Sequence, residues 1–217
     1  MKARIDRLVS PGVIAPGGRV PEREINTWIV GDDEEVIVID PGTDPAVVLA
    51  ATADREILAV ICTHGHASHV AAAPDVAARD EAPVALNPKD LLGWREAHGD
   101  GDPEIDMEDG GIFEVSDVAL EVIHAPGHSP GSVCLYCEDL GVVFCGDVLL
   151  AEGPARHAGE FPNFSAQLSA IGEHILTLPG ETRVLPGHGE EMTVAAAEKR
   201  FDSWVAAGPQ AFADTTD

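Results

Sequence analysis

A group of histidines directly follows an apolar run: Thr63-His64-Gly65-His66-Ala67-Ser68-His69 comes after Leu58-Ala59-Val60-Ile61-Cys62. A short apolar run of this kind predicts a buried strand, which puts the histidines on the loop at its tip. His64 and His66 lie two positions apart, so in an extended segment their side chains point to the same face. Imidazole nitrogens suit borderline metals such as zinc, iron and manganese. The stretch therefore predicts a metal site at the end of a strand.

Three later blocks also combine glycine with residues that bind metals. They are Ala125-Pro126-Gly127-His128-Ser129-Pro130-Gly131-Ser132, Cys145-Gly146-Asp147 and Pro186-Gly187-His188-Gly189. Five of the nine histidines of this 217-residue chain fall in the four blocks, whereas a chance distribution would scatter them along the chain. A single such block is a weak signal, whereas four separate blocks in one chain are a strong one.

The four blocks resemble the signature of the metallo-β-lactamase superfamily and, within it, of the glyoxalase II-like hydrolases. That signature is His-x-His-x-Asp-His, a Pro-Gly-His-(Ser/Thr)-x-Gly-Ser turn, a Gly-Asp pair and a late Gly-His, and the resemblance covers roughly residues 25–190. It implies a four-layer αββα sandwich, where the pattern of apolar residues alone predicts only a mixed α/β domain. The chain departs from the signature at Ser68, which stands where the family has its aspartate.

The resemblance implies two metal positions that share one carboxylate. Its ligands here would be His64, His66 and His128 for the first position, His69 and His188 for the second, and Asp147 for both. Asp147 and Ser68 are also the candidate catalytic residues. A serine hydroxyl is neutral at pH 7 and a poor ligand for a divalent cation, so Ser68 weakens the second position and leaves its occupancy open. The implied cofactor is zinc, one or two ions per chain, with ferrous iron as the alternative.

The function that the resemblance implies is metal-dependent hydrolysis of a small thioester or ester through a metal-bound hydroxide. The longer glyoxalase II enzymes carry a helical C-terminal region that helps to bind glutathione. Only about 29 residues follow His188, too few for that region. Glutathione specificity is therefore not carried over, and the substrate-binding residues stay open, with Arg156 and His157 as candidates.

Two other functions are weighed against hydrolysis. Persulfide dioxygenases share the fold and hold one iron through two histidines and an aspartate, which would be His64, His128 and Asp147 here. Gly146-Asp147-Val148-Leu149-Leu150 also resembles their Gly-Asp-Ala-Leu-Leu. The third possibility is a degenerate, non-enzymatic member that keeps a metal for structure. Six retained ligand residues argue against decay of the site.

The composition limits the partners. Thirty-eight acidic residues against thirteen basic ones give a formal charge of −25, which repels nucleic acids and anionic membranes. No apolar run reaches the length of a membrane span, and the start of the chain has no signal-peptide pattern. We therefore expect a cytoplasmic protein that acts on a small molecule and binds neither nucleic acid nor membrane, with the oligomeric state left open. Residues 1–207 are expected to form one domain, followed by a frayed tail over 208–217.

The remaining cysteines are expected to be structural, His124 to be packed or exposed, and His98 and His174 to be ordinary surface residues. Cys134 and Cys137 lie three apart in a predicted strand, so their thiols point to opposite faces. Cys145 is expected to lie behind the metal ligands at most. The apolar patterns predict strands over 36–40, 58–62, 82–86, 119–124, 132–137, 141–145 and 182–185, and helices over 45–53, 70–79, 90–96, 164–178 and 193–205. The Gly- and Asp-rich stretch 98–111 is expected to be a mobile surface loop.

Overall fold

Apolar runs in the first half of the chain form one sheet. The computed structural model describes residues 2–11, 24–156 and 163–209. Its first sheet has six strands whose order in space is their order in the chain. The first three pair antiparallel and the later neighbours pair parallel. The strands are β1 (Arg4–Ser10), β2 (Ile25–Gly31), β3 (Glu35–Ile39), β4 (Glu56–Ile61), β5 (Val84–Leu86) and β6 (Ile105–Asp106).

The second half of the chain forms a second six-stranded sheet. Its first four strands form an antiparallel meander, the next pairs parallel with the fourth, and the last is an antiparallel edge. The strands are β7 (Ile112–Val115), β8 (Val118–His124), β9 (Val133–Cys137), β10 (Val142–Gly146), β11 (Arg183–Pro186) and β12 (Met192–Thr193).

Helices cover the outer faces of both sheets. Asp44 and Thr193 begin α1 and α6 by accepting hydrogen bonds from the N–H groups of Ala46 and Ala196, at 3.0 and 3.2 Å, the usual role of a polar residue at a helix start. The helices are α1 (Pro45–Thr52), α2 (Ala67–Val70), α3 (Ala73–Ala77), α4 (Leu91–His98), α5 (Phe164–Ala170) and α6 (Val194–Ala207). A 3₁₀ turn spans Pro88–Asp90, and α5 continues into a π-helical turn over Ile171–Ile175.

Three apolar clusters hold these layers together, because side chains alternate between the two faces of a strand. Between the sheets, Trp28 meets Phe144 edge to face at a centroid distance of 6.0 Å. Val38 faces the other way, toward α4 and its buried Trp94. The outer face of the second sheet packs against α6 through Trp204. The order helix, sheet, sheet, helix confirms the predicted αββα sandwich.

The structure corrects several predicted elements. The helix expected over 70–79 is two short helices, α2 and α3, and α3 starts with Pro74 in its first turn, where the missing N–H costs nothing. The stretch 98–111 is not simply a loop, since β6 extends the parallel edge there. Strands β1, β2, β7 and β12 had no predicted counterpart. The prediction of one domain over residues 1–207 stays a prediction, and the expected tail lies almost wholly outside the described residues. Within the described residues, no helix has the length and apolarity that crossing a bilayer requires.

Candidate metal centre

The four sequence blocks meet at one edge of the sandwich. His64 follows the carboxyl end of β4, Asp147 that of β10 and His188 that of β11. His69 lies in the short helix α2, and His128 lies in the turn between β8 and β9. Strands that run parallel end at the same edge of a sheet, and the packing of the two sheets brings both edges together.

The Asp147 carboxylate lies at the middle of the group. Its Oδ2 is 3.4 Å from Nε2 of His188, 3.5 Å from Nε2 of His69, 3.6 Å from Nε2 of His128 and 4.0 Å from Nε2 of His64. Four imidazole nitrogens from three separate loops thus surround one oxygen.

Two sets of donor atoms are close enough to share an ion. In each set the atoms lie within 4.8 Å of one another: His64, His66 and His128 form the first, and His64, His69 and Asp147 the second. His66 presents Nδ1, which is 3.1 Å from Nε2 of His128. Ser68 lies half-buried on α2. The structure thus brings together all the predicted ligand residues, with His188 joining the group through Asp147.

Buried atoms without hydrogen bonds fit a cation at this place. Among the described residues, Nε2 of His64, Nε2 of His69 and Oδ1 of Asp147 are buried and have no hydrogen-bond partner. Leaving a buried polar atom unpaired costs about 1–3 kcal/mol, so several such atoms at one point indicate a missing charged partner. Imidazole and carboxylate are the donors that zinc and iron take in proteins.

The pKa values of these groups follow from the same crowding. Burial opposes a charge on His69, but Asp147 and Asp40 outweigh it and raise the pKa of His69 to about 10. Burial also opposes ionisation of Asp147, yet His188 and His69 hold the pKa of that carboxyl well below its usual range. Burial and the neighbouring His69, His66 and His128 lower the pKa of His64 well below its usual range. Asp147 as a carboxylate and His64 as a neutral imidazole are in the protonation states that bind metals, whereas His69 must first release a proton.

Asp40 supports the centre from behind, and the sequence interpretation missed it. Its Oδ2 lies 3.0 Å from Nδ1 of His69. It also accepts hydrogen bonds at 2.7 Å from both the N–H and the hydroxyl of Thr63, whose oxygen lies 3.1 Å from Nδ1 of His64. Partners of this kind fix which ring nitrogen faces a metal. An acidic residue directly after the apolar run Val36–Ile39 was the available signal.

Backbone carbonyls orient two further imidazoles. Nδ1 of His188 lies 2.8 Å from the oxygen of Glu24, and Nδ1 of His128 lies 3.4 Å from that of Ala155. A ring nitrogen that donates to a carbonyl leaves the other nitrogen with its lone pair. Both rings therefore aim Nε2 at the centre.

Glycines in the sequence blocks allow the loops to approach one another. A Cβ on Gly187 would lie 2.6 Å from Oδ1 of Asp147 and 2.7 Å from Cε1 of His69. A Cβ on Gly146 would lie 2.2 Å from the Thr63 hydroxyl, and the φ of Gly146 is +48°. A side chain at either position displaces a residue of the centre or its support.

The other candidate residues lie elsewhere. The Cys145 thiol donates to the oxygen of Leu149 at 3.1 Å and belongs to the apolar cluster beneath α6, so it takes no part in the centre. Cys134 and Cys137 lie in different clusters on opposite faces, as predicted. Arg156 donates to the oxygen of Pro209 at 2.9 Å, and its contact with substrate stays a prediction. His157 lies outside the described residues.

His98 and His124 are half-buried, although His98 was expected at the surface and in fact ends α4. Each has Nε2 at 3.0 Å from a backbone oxygen, that of Val70 for His98 and that of Pro130 for His124. His174 lies half-buried in the π-helical turn.

A cavity opens beside the centre. It has a volume of about 170 Å³ and is lined by Glu24, Leu150, Glu152, His188 and Gly189. The cavity shares His188 with the centre, where Nε2 of His188 lies 3.4 Å from Oδ2 of Asp147.

Known proteins resemble this chain over most of its length. "Probable metallo-hydrolase YqgX" of Bacillus subtilis is 32% identical over 185 residues, which are 79% of this chain and 88% of the relative. "Hydroxyacylglutathione hydrolase GloC" of Haemophilus influenzae is 28% identical over 198 residues, which are 83% of this chain and 92% of the relative.

Solved structures agree. ETHE1 from Myxococcus xanthus has a TM-score of 0.68 at 27% identity, covering 87% of this chain and 83% of that one. TTHA1623, solved in a di-iron-bound form, has a TM-score of 0.68 at 30% identity, covering 88% of this chain and 97% of that one. The family model for the metallo-beta-lactamase superfamily matches residues 20–188. Fold, ligand geometry and sequence similarity therefore agree: the chain belongs to the metallo-β-lactamase superfamily.

Proposed function

We propose that this protein is a metal-dependent hydrolase of a small thioester or ester. The observation that carries the proposal is the convergence of four histidines on the buried carboxylate of Asp147, with His66 beside His64 and His128. Among the described residues, buried atoms of His64, His69 and Asp147 at this point have no hydrogen-bond partner. The similarity to a hydroxyacylglutathione hydrolase and to a metallo-hydrolase supports the reaction class. Members of the family bind divalent metals, and relatives act on small molecules.

The proposed ligands form two positions. The first position is His64, His66 and His128, the second position is His69 and His188, and Asp147 is shared between them. Zinc is the proposed metal, one or two ions per chain, because imidazole and carboxylate suit it. Iron is the alternative, which the di-iron form of TTHA1623 supports.

The chemistry divides between the metal and the chain. A bound divalent metal lowers the pKa of water and polarises a substrate carbonyl. The ionised Asp147 carboxylate can accept a hydrogen bond from the attacking water, since its Oδ1 has no partner among the described residues. The Ser68 hydroxyl can orient water but adds no negative charge. A thioester suits this site because its thiolate leaves without strong protonation.

Metal analysis with an activity assay tests the proposal. The chain is purified without added metal, its zinc and iron are measured by mass spectrometry, and thiol release is followed on a panel of thioesters. We expect bound zinc and metal-dependent turnover that His128→Ala abolishes, while His174→Ala, on the π-helical turn, keeps it. Metal without turnover on thioesters or esters would contradict the hydrolase and favour a structural metal.

A second candidate is a mono-iron enzyme that resembles persulfide dioxygenases. The observation in its favour is that Oδ2 of Asp147 lies within 4.0 Å of Nε2 of both His64 and His128, two imidazoles and one carboxylate at one point. Such a set favours ferrous oxygen chemistry. Oxygen uptake with a persulfide by the iron-loaded chain, without thioester turnover, would favour this candidate over the hydrolase.

We also propose a cytoplasmic location and no nucleic-acid or membrane partner. The formal charge of −25 supports this, because it repels phosphate groups.

A further inference from the structure

A buried carboxylate outside the proposed ligand set lies between the loops that carry the ligands. Asp90 ends the 3₁₀ turn Pro88–Asp90 and is only 5% exposed. Its Oδ2 accepts hydrogen bonds from the N–H of Gly65 at 2.9 Å and from the hydroxyl of Ser129 at 2.5 Å. Its Oδ1 accepts one from the N–H of Gly131 at 2.6 Å. All three donors belong to the histidine blocks of the sequence.

These donors are neighbours of the first position. Gly65 lies between His64 and His66, and Ser129 directly follows His128. The donor atoms of the three histidines lie within 4.8 Å of one another. The Asp90 carboxylate therefore links the loop of His64 and His66 to the loop of His128. The first position requires these two loops to keep their relative placement.

Close packing adds to the hydrogen bonds. A Cβ on Gly131 would lie 2.7 Å from Cγ of Asp90, and a Cβ on Gly65 would lie 2.5 Å from the Asp90 backbone oxygen. On α4, a Cβ on Gly93 would lie 2.4 Å from the oxygen of Gly65. Two glycines of the histidine blocks thus make room for Asp90 and its turn rather than for a metal.

Ser129 is itself held in place for its bond to Asp90. Its hydroxyl lies 2.7 Å from that of Ser132, and the Ser132 oxygen accepts a hydrogen bond from the Ser129 N–H at 3.0 Å. Because Ser129 gives its proton to the carboxylate, Ser132 donates to Ser129. The chain of bonds from Ser132 to Asp90 fixes the backbone beside His128.

We infer that Asp90 is a positioning residue for the first position, which it supports without touching a metal. The inference rests on the ligand set proposed above. An aspartate accepts all three donors, whereas an asparagine has one acceptor oxygen and two N–H groups. In Asp90→Asn at least one donor from Gly65, Ser129 or Gly131 therefore faces an N–H, and one loop must shift.

Zinc affinity tests the inference. Competition with a chromogenic chelator is measured on the full chain for the wild type, Asp90→Asn and Ser129→Ala, with the unfolding midpoint of the metal-free protein measured alongside. Asp32→Asn is the matched control, because Asp32 is 6% exposed and accepts the N–H groups of Glu34 and Glu35 at 2.8 and 3.1 Å in a turn of the first sheet.

We expect Asp90→Asn to weaken binding at the first position by about 10–100-fold, as for partners that orient ligands elsewhere. Ser129→Ala removes the bonds of the hydroxyl to Asp90 and Ser132 and weakens binding roughly fivefold, and Asp32→Asn stays within about twofold. Equal zinc affinities for Asp90→Asn and Asp32→Asn would overturn the inference, even if both lower the unfolding midpoint. If Asp90→Asn does not fold, Ser129→Ala decides, and an unchanged affinity there overturns it.

Failure of the proposed function gives a different result. A wild-type chain that binds zinc but cleaves no thioester contradicts the hydrolase, while the affinity series still decides the role of Asp90. A wild-type chain without zinc affinity overturns the inference itself.

Discussion

The two proposed metal positions differ in what holds their ligands. The first position consists of three imidazoles, with Nδ1 of His66 at 3.1 Å from Nε2 of His128. In the second, Nε2 of His69 and of His188 lie 3.5 and 3.4 Å from Oδ2 of Asp147, and Asp40 lies 3.0 Å from Nδ1 of His69. The first position adds three imidazoles to the shared Asp147, whereas the second adds two imidazoles and has a further carboxylate, Asp40, beside one of them.

The difference between the two positions explains why Ser68 is expected to weaken the second one. Ser68 is neutral where the family has an aspartate. The negative charge that is missing would lie beside His69, in the second position. The two remaining carboxylates, Asp40 and Asp147, already hold the pKa of His69 at about 10 in the metal-free chain. A metal entering the second position must displace that proton. At the first position, burial and the neighbouring imidazoles hold the pKa of His64 well below its usual range, so that ring has no such proton to release.

The largest expected effect comes from Asp147→Asn, which removes the charge that both positions share. Removing one partner of a buried charged group costs about 3–5 kcal/mol, so we expect zinc affinity to fall roughly 100-fold or more and hydrolysis to disappear. Isothermal titration with zinc measures this. Asp139→Asn, an exposed acid in the turn between β9 and β10, is the control. A first position that keeps its affinity would mean that Asp147 is not shared.

Asp40→Asn is expected to lower the metal affinity of the two positions unequally. The substitution removes the negative charge next to Nδ1 of His69, while the amide oxygen can still accept a hydrogen bond from Thr63. Loss of an orienting partner costs about 10–100-fold in metal affinity, here at the second position more than at the first. A titration that resolves two zinc steps checks this, with Asp44→Asn, which alters only the cap of α1, as control. Equal losses at both steps would contradict the comparison.

Ser68→Asp is expected to reduce the difference between the positions. The added carboxylate beside His69 should tighten the second position by about tenfold and raise hydrolysis, and metal content should move toward occupancy of both positions. Mass spectrometry of the purified variant measures the content. Ser68→Asn is the matched control, because asparagine has the shape of aspartate without its charge. Unchanged metal content and activity in Ser68→Asp would refute a weakened second position.

The smallest effect on metal is expected for Cys145→Ala. The thiol donates to Leu149 in the apolar cluster beneath α6, so zinc affinity should stay within about twofold, while the free energy of unfolding falls by about 1 kcal/mol. Urea unfolding of the metal-free chain measures the loss. Cys134→Ala, in the same cluster, should behave alike. A selective loss of zinc affinity in Cys145→Ala would bring that residue into the centre.

The sequence predicted the strands and helices that have a recognisable pattern of apolar residues within their own span. Apolar runs located β3, β4, β8, β9 and β10, and apolar patterns located α1 and α6. It did not predict β2, whose side chains are buried on both faces and so show no alternation. It did not predict β6 either, whose two residues are a strand only because β5 lies beside them.

By itself the sequence determined the motifs, because these depend on side-chain type at short, regular spacing. The resemblance of the motifs to the family then implied the sandwich and the residues that meet at the centre. Only the tertiary structure decided which residues support the ligands. Asp40 reaches Thr63 across 23 positions, and Asp90 reaches Gly131 across 41. Such contacts depend on how strands pair and loops pack. Asp40 at least directly follows an apolar run, but Asp90, one of 38 acidic residues, carries no local sign of its contacts.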